Sequence, residues 1–268
     1  MTLPLDIMIE AALEAGRDIL SVYATDFDAT LKGDNSPVTI ADERAEAIIL
    51  RHLAVTGLPV LAEESAAAGH IPELGDRYFI VDPLDGTKEF IKKNGEFTVN
   101  IALVENGKPV AGVVSAPALG KLYAGSPDGA FKAAITETGL GSREPIAVRK
   151  DAPLNVVASR SHGHAALGFI CDELKVAGDV SVGSSLKFCL VAEGAARLYP
   201  RLTPTCEWDT AAGQAVLEAA GGTVVTKTGE PLTYGKSEND FLNPFFIAAD
   251  DPYLAADCAR IMREALND

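Results

Sequence analysis

The sequence contains few cysteines, and these are scattered along the chain. Cys171, Cys189, Cys206 and Cys258 form no C-x-x-C spacing, which argues against zinc fingers and dithiol redox pairs. With 268 residues, the chain is long enough for one large core or two smaller ones, so it needs no disulfides. We therefore expect buried thiols and a reducing, cytoplasmic location.

Basic residues are scarce relative to acidic ones. The chain has 23 Lys and Arg against 38 Asp and Glu, which gives a net charge of −15. Nucleic acids and anionic membranes are bound through basic patches, so this balance argues against both partners. A small anionic substrate is compatible with it if cations shield the charge locally, as in acidic clefts that hold divalent metals.

Long hydrophobic runs are absent, and no apolar segment approaches the length of a membrane span. The N-terminus also lacks the features of a signal peptide, because Asp6, Glu10 and Glu14 interrupt its apolar residues. We interpret this segment as a first helix and expect no integral membrane segment. Peripheral association with the inner membrane stays open.

The order of predicted elements changes near residue 150. In residues 1–150, helices at Leu5–Tyr23 and after the predicted N-cap Thr39 precede strands joined by short turns, which is typical of antiparallel sheet. In residues 151–268, strands alternate with helices, the mark of an α/β domain. The sequence therefore predicts an α/β protein of two domains, with an α+β N-terminal half and an α/β C-terminal half.

One short stretch concentrates the candidate chemistry. Apolar residues 78–81 lead into Asp82-Pro83-Leu84-Asp85-Gly86-Thr87. The proline lacks a ladder N–H, so we expect the strand to stop there, and the glycine permits a turn into a helix that begins at Thr87. Such residues are also common in ordinary acidic turns. The carboxylates and the Leu84 carbonyl are nevertheless hard ligands that suit Mg²⁺, and helix-start N–H groups favour phosphate, so we favour a metal site.

Three further acidic positions have ordinary explanations as well as functional ones. Glu63 and Glu64 follow a predicted strand and alone would form a solvated loop, but one of them is a natural third ligand beside the motif. Asp209 precedes a predicted helix as a candidate N-cap, and a carboxylate there can also bind a metal. Asp42 interacts favourably with the dipole of its helix, and the loop 34–38 before it is placed to close over a site.

A second polar group lies in the C-terminal half. Gly183-Ser184-Ser185 precedes a predicted helix that carries Lys187, and such a turn can hold a phosphate or a ribose hydroxyl. Ser159-Arg160-Ser161-His162 ends another predicted strand, and strand ends line ligand crevices in α/β sheets. The ordinary alternatives are a serine N-cap with an exposed lysine and a surface histidine.

Together these residues resemble the inositol monophosphatase superfamily of Mg²⁺-dependent phosphatases. The family pattern D-P-[IL]-D-G-T matches residues 82–87 in full, and W-D-x-A-A-G matches residues 208–213. The G-E-E-S element appears at residues 62–65 with Ala62 in place of glycine. Order and spacing agree over nearly the whole chain.

Within the superfamily, the chain is most similar to the bacterial branch of 3'(2'),5'-bisphosphate nucleotidases of the CysQ type. Residues 35–39, 82–98 and 183–194 carry this resemblance. Inositol phosphatases usually have Thr-Asn where this chain has Lys88-Glu89.

The resemblance implies a layered α-β-α-β-α sugar-phosphatase fold with its site between the two domains. It implies two or three Mg²⁺ ions held by these metal ligands: Glu63, Asp82, the Leu84 carbonyl, Asp85 and Asp209. Thr87 and Asp42, with Glu63, would activate the attacking water. The implied substrate contacts are the Gly86 and Thr87 amides, Lys88, Gly183, Ser184, Ser185, Lys187, His162, Arg201 and Asp209.

The sequence thus predicts an enzyme that removes the 3'-phosphate of adenosine 3',5'-bisphosphate, giving AMP in sulfate-assimilation metabolism. The resemblance also implies lithium inhibition and a homodimer. Inositol-1-phosphate and fructose-1,6-bisphosphate are alternative substrates within the superfamily. A haloacid-dehalogenase-type phosphatase would need D-x-D-x-T, whereas two residues separate Asp82 from Asp85. A non-catalytic metal or nucleotide sensor is the alternative from another class.

Overall fold

A computed structural model describes residues 4–27, 29–31, 37–158 and 165–267. The helices are α1 (Leu5–Tyr23), α2 (Ile40–Leu53), α3 (Glu63–Ala67), α4 (Thr87–Ile91), α5 (Ala165–Leu174), α6 (Leu186–Ala192), α7 (Ala211–Ala219) and α8 (Pro252–Leu266). The strands are β1 (Ala29–Leu31), β2 (Pro37–Thr39), β3 (Val60–Ala62), β4 (Arg77–Asp85), β5 (Thr98–Glu105), β6 (Lys108–Ala116), β7 (Lys121–Ser126), β8 (Gly129–Thr136), β9 (Gly139–Leu140), β10 (Glu144–Ile146), β11 (Asn155–Ala158), β12 (Gly178–Ser181), β13 (Leu198–Arg201), β14 (Thr223–Thr226) and β15 (Phe246–Ala249). Short 3-10 turns lie at Ala54–Thr56, Pro117–Leu119 and Ser237–Asn239.

The first two helices form where their sequences predict them. The bounds of α1 agree with the prediction, and its apolar face is buried. Thr39 caps α2 through a capping box, in which its side chain accepts from the first turn and Asp42 accepts from the Thr39 N–H. Both helices pack on one face of the larger sheet.

The larger sheet has the strand order β10-β8-β7-β6-β5-β4-β3, with β9 paired to β8. Its pairs are antiparallel except β3 with β4. Neighbouring residues of its central strands face opposite helical layers, so both faces are buried and the strands have continuous apolar runs. The turn between β5 and β6 has positive φ at Asn106 and Gly107, the geometry of a tight hairpin.

The expected end of the strand at Pro83 is wrong. β4 continues to Asp85, with Asp82 opposite Asn100 and Asp85 opposite Thr98. Three steps along β4 therefore correspond to two along β5, which is a β-bulge. The bulge accommodates the missing N–H of the proline without ending the strand.

The smaller sheet has the order β12-β11-β13-β15-β14. β11 runs parallel to β12 and β13, whereas β15 runs antiparallel to β13 and β14. The C-terminal half is therefore α/β in its alternation but contains a mixed sheet. Because β15 is short and follows a long irregular segment, its apolar residues gave no clear periodic signal.

The layers follow from which faces are buried. α1 and α2 cover the outer face of the larger sheet, α6 and α7 lie between the sheets, and α5 and α8 cover the outer face of the smaller sheet. The predicted α-β-α-β-α layering is confirmed. α7 approaches the larger sheet closely, since a Cβ built on Gly112 would lie 2.4 Å from the Ala212 carbonyl oxygen. Division into two domains near residue 150 stays a prediction.

Candidate active site

Two neighbouring aspartates and a third from a distant part of the sequence converge at one end of the larger sheet. Asp82 and Asp85 lie on the bulged end of β4, and Asp209 lies two residues before α7. One carboxylate oxygen of each lies within 4.8 Å of the others. Hard oxygen donors at this spacing fit a divalent cation such as Mg²⁺.

The electrostatics of the cluster also fit a cation. Burial, followed by Glu63 and the other two aspartates, raises the pKa of Asp82 well above its usual value. Burial and then Asp209 raise the pKa of Asp85 to about 6, although Lys187 and Ser185 act in the opposite direction. The protein thus holds together carboxylates that repel one another when ionised, and a divalent cation relieves that repulsion.

Backbone donors fix two of these carboxylates. The Leu84 N–H donates to Asp82 Oδ1 at 3.0 Å, across the bulge. Asp85 Oδ2 accepts from the Ser185 N–H at 2.7 Å and from Ser185 Oγ at 3.0 Å. The side chain of Asp85 is therefore held by a residue of the C-terminal half, 100 positions away.

Asp209 is fixed by residues that precede it. Its Oδ2 accepts from the Cys206 N–H at 2.7 Å and from Thr205 Oγ1. The N-cap of α7 is Thr210, so the explanation of Asp209 as an N-cap is wrong. Its carboxylate closes a turn backward along the chain and joins the acidic cluster.

Glu63 is the first residue of α3 and lies beside Asp82, with which it shares a hydrogen bond. The start of α3 is held by the buried Glu46, whose carboxylate accepts from the Glu64 N–H at 2.8 Å and the Ser65 N–H at 2.9 Å. Our sequence reasoning missed Glu46. The available signal was a charged residue one turn after Asp42, next to the buried Ala45 and Ile49.

Thr87 and Asp42 meet at the start of α4. Thr87 Oγ1 lies 3.2 Å from Asp42 Oδ1 and 3.3 Å from the Leu84 carbonyl oxygen, and it can donate to either. The other oxygen of Asp42 accepts from Thr39 in the capping box. Asp42 is buried. Its carboxylate caps α2 through one oxygen and accepts from the Thr87 hydroxyl through the other.

The turn from β4 into α4 requires glycine. Gly86 has a φ of +95°, in the left-handed region, and a Cβ there would lie 3.2 Å from the Glu96 carbonyl oxygen. This turn places Gly86 and Lys88 on the wall of a cleft next to Asp85.

The cleft extends from the acidic cluster to the C-terminal half. Its walls include these predicted residues: Asp85, Gly86, Lys88, Gly183, Ser184, Lys187, Arg201 and Asp209. Lys187 Nζ donates to the Ser184 carbonyl at 2.9 Å and lies 5.7 Å from the centre of the Tyr199 ring. Lys187 and Arg201 thus place positive charge in the same cleft as Asp85 and Asp209.

Two of the predicted contacts in the Gly183–Ser185 turn have protein partners. The Gly183 N–H donates to Glu96 Oε2 at 2.9 Å. Ser185 is only 2% exposed and donates to Asp85, so it lies behind the cleft wall. His162, with residues 159–161, lies outside the described residues, as do residues 34–36 of the loop before Asp42.

Comparison with known proteins gives the family. A profile of the inositol monophosphatase family matches residues 4–265. This chain belongs to that family. The resemblance to the superfamily and to its CysQ-type branch is confirmed, as is the α/β fold.

Individual family members show how far the similarity extends. The 3'(2'),5'-bisphosphate nucleotidase CysQ of Escherichia coli (strain K12) is 48% identical over 246 residues, covering 90% of this chain and 98% of the relative. The crystal structure of CysQ from Bacteroides thetaiotaomicron has a TM-score of 0.76 and 44% identity, covering 92% and 97% of the two chains. The extragenic suppressor protein suhB of Bartonella henselae has a TM-score of 0.75 and 27% identity, covering 97% and 98%.

Among the described residues, no helix combines the length and apolar character needed to cross a bilayer.

Proposed function

We propose that this chain hydrolyses the 3'-phosphate of adenosine 3',5'-bisphosphate to AMP and phosphate in a Mg²⁺-dependent reaction. One observation carries the proposal: the cluster of Asp82, Asp85 and Asp209 reaches, through Asp85 and Asp209, a cleft that Lys187 and Arg201 also line. Such a cleft can hold a metal-bound phosphate at one end and a second anionic group at the other. Similarity to proteins named 3'(2'),5'-bisphosphate nucleotidase supports the same substrate.

The metal ligands in this proposal are Glu63, Asp82, the Leu84 carbonyl, Asp85 and Asp209, holding two or three Mg²⁺ ions. The bulge supports the role of the Leu84 carbonyl, because Leu84 has no ladder partner on β5. When bound, Mg²⁺ supplies positive charge to the phosphate and leaving oxygen and lowers the pKa of water. One oxygen each of Asp82, Asp85 and Asp209 already accepts from a protein donor, so the second oxygen of each would coordinate.

Thr87 and Asp42 would orient and deprotonate the attacking water, assisted by Glu63, which lies beside Asp82. In this arrangement the water donates to Thr87 Oγ1, and the Thr87 hydroxyl donates to Asp42 Oδ1. The capping-box bonds keep Asp42 in place for this contact. The attack is direct and in line, without a phospho-enzyme.

On the substrate side, the Gly86 and Thr87 amides would cradle the scissile phosphate at the start of α4. Lys187 and Arg201 would bind the phosphate that is retained, since both line the cleft that Asp85 and Asp209 also line. The residues proposed to contact the ribose and the phosphate groups of the substrate are Lys88, Ser184 and Asp209. Gly183 and His162 complete the set of residues proposed on the nucleoside side.

Phosphate release tests the substrate assignment. We expect adenosine 3',5'-bisphosphate to be hydrolysed with a higher kcat/KM than inositol-1-phosphate or fructose-1,6-bisphosphate, measured side by side with Mg²⁺. A preference for inositol phosphate would overturn the assignment. A trapped phospho-aspartate would contradict water attack, and nucleotide binding without phosphate release would favour a sensor.

The remaining parts of the proposal concern the protein as a whole. We propose a cytoplasmic homodimer that acts on a small nucleotide and not on nucleic acid, with inhibition by Li⁺ and a domain boundary near residue 150. Light scattering at several protein concentrations would give the oligomeric state. A mass equal to one chain at all concentrations would contradict the dimer.

A further inference from the structure

The turn before α6 contacts the acidic cluster from behind the cleft wall. Ser185, at the N-cap of α6, is 2% exposed. Its N–H and its hydroxyl both reach Asp85 Oδ2, at 2.7 and 3.0 Å. The same hydroxyl lies 2.6 Å from the Asp209 carbonyl oxygen. Ser185 thus joins two candidate metal ligands that come from different halves of the chain.

Asn100 on β5 sets the orientation of that hydroxyl. The Asn100 Nδ2 donates to Ser185 Oγ at 2.9 Å, while Thr98 Oγ1 donates to Asn100 Oδ1 at 3.0 Å. Because Thr98 occupies the carbonyl end of the amide, the N–H₂ end faces Ser185. The Ser185 oxygen accepts from Asn100, so its own proton is directed to Asp85 or to the Asp209 carbonyl.

We propose that Ser185 is a positioning residue for Asp85, with Asn100 orienting the Ser185 hydroxyl. The inference rests on the proposed function, in which Asp85 binds Mg²⁺. The Ser185 N–H, the Ser185 hydroxyl and, at 3.4 Å, Asn100 Nδ2 all lie within hydrogen-bond distance of Asp85 Oδ2. They restrict rotation of the carboxylate, so Asp85 presents its Oδ1 for coordination. Hydrogen-bond partners of this kind typically change metal affinity by about 10- to 100-fold when they are removed.

Ser185→Ala tests the proposal through metal binding in the nucleotide-free protein. The sequence has a single tryptophan, Trp208, next to Asp209, so its fluorescence can follow titration with MgCl₂, and calorimetry provides an independent binding curve. We expect the Mg²⁺ midpoint to rise about 10-fold or more. At saturating Mg²⁺ the KM for the nucleotide should stay near the wild-type value, because Ser185 does not line the cleft.

Ser115→Ala is the matched control. Ser115 is fully buried in β6, and its hydroxyl has no hydrogen-bond partner within the described structure. Removing it deletes a buried hydroxyl of the same size without touching Asp85, so the Mg²⁺ midpoint should not move. A shift in this control equal to that of Ser185→Ala would overturn the positioning role.

Asn100→Ala provides a second route if Ser185→Ala folds poorly, as judged by circular dichroism. It should raise the Mg²⁺ midpoint, and the double variant with Ser185→Ala should shift it less than the sum of both. A folded Ser185→Ala or Asn100→Ala protein with a wild-type midpoint would overturn the inference while leaving the proposed function intact. A wild-type protein that fails to bind Mg²⁺ would overturn both.

Discussion

Replacing Asp85 by asparagine should stabilise the metal-free protein at neutral pH, although it removes a metal ligand. The pKa of Asp85 in the folded protein is about 6, against an ordinary value of 3.8. Below both values the carboxyl is protonated in the folded and unfolded states, so it has no effect on stability. Between them only the folded protein retains the proton, and stability falls as pH rises.

The size of the effect follows from the shift. Above about pH 6, ionised Asp85 should destabilise the metal-free fold by about 3 kcal/mol, at 1.36 kcal/mol for each pKa unit. For a chain of this size that corresponds to roughly 6 to 12 °C in Tm. Asparagine has no charge, and its carbonyl oxygen can still accept from Ser185, so the packing around it should survive.

Thermal unfolding by circular dichroism checks this reasoning. In EDTA at about pH 7.5, Asp85→Asn should melt above the wild type, and the difference should disappear as the pH falls to about 3, below both pKa values. Saturating Mg²⁺ should raise the Tm of the wild type more than that of the variant, and the variant should lack Mg²⁺-supported turnover. Asp257→Asn, which removes an exposed charge on α8, is the control. An Asp85→Asn protein that melts at or below the wild-type temperature in EDTA would refute the argument.

Three other substitutions test separate parts of the structure. Thr87→Ala should lower kcat by about 100-fold or more with little change in KM, because the hydroxyl acts on the attacking water. Thr87→Ser keeps a hydroxyl and should retain activity. Equal losses of kcat in the two variants would contradict that role. Lys187→Met should raise the KM for the bisphosphate about 10- to 100-fold and affect a monophosphate ester less, which steady-state kinetics on both substrates would show. Gly112→Ala should lower the free energy of unfolding by about 1 to 3 kcal/mol in urea titrations, because its Cβ would meet α7, while Gly168→Ala in open space on α5 should not.

Local signals in the sequence predicted local structure well. The bounds of α1, α5 and α8 and the capping role of Thr39 follow from apolar periodicity and side-chain chemistry within a few residues. The D-P-L-D-G-T motif likewise indicated the acidic centre of the candidate site, because its ligand types lie next to one another in the chain.

Contacts between residues that are far apart in the sequence were harder to predict. Ser185 reads as a helix N-cap, and nothing near it shows that its donors reach Asp85 from 100 positions away. Asp209 reads as an N-cap because its backward turn to Cys206 depends on the path of the chain before α7. The antiparallel position of β15 between β13 and β14 is equally a property of the folded sheet.

The bulge in β4 has a consequence for the spacing of the two aspartates. In a regular strand, residues three apart point to opposite faces of the sheet, so Asp82 and Asp85 would diverge. The extra residue reverses that parity and brings both carboxylates to one side. Deleting one residue between them would leave the aspartates two positions apart, so a regular ladder would also place both carboxylates on one face, but without the residues that the bulge leaves unpaired. The D-x-x-D spacing therefore reflects an irregular strand, because the bulge brings two aspartates that are three residues apart to the same side of the sheet.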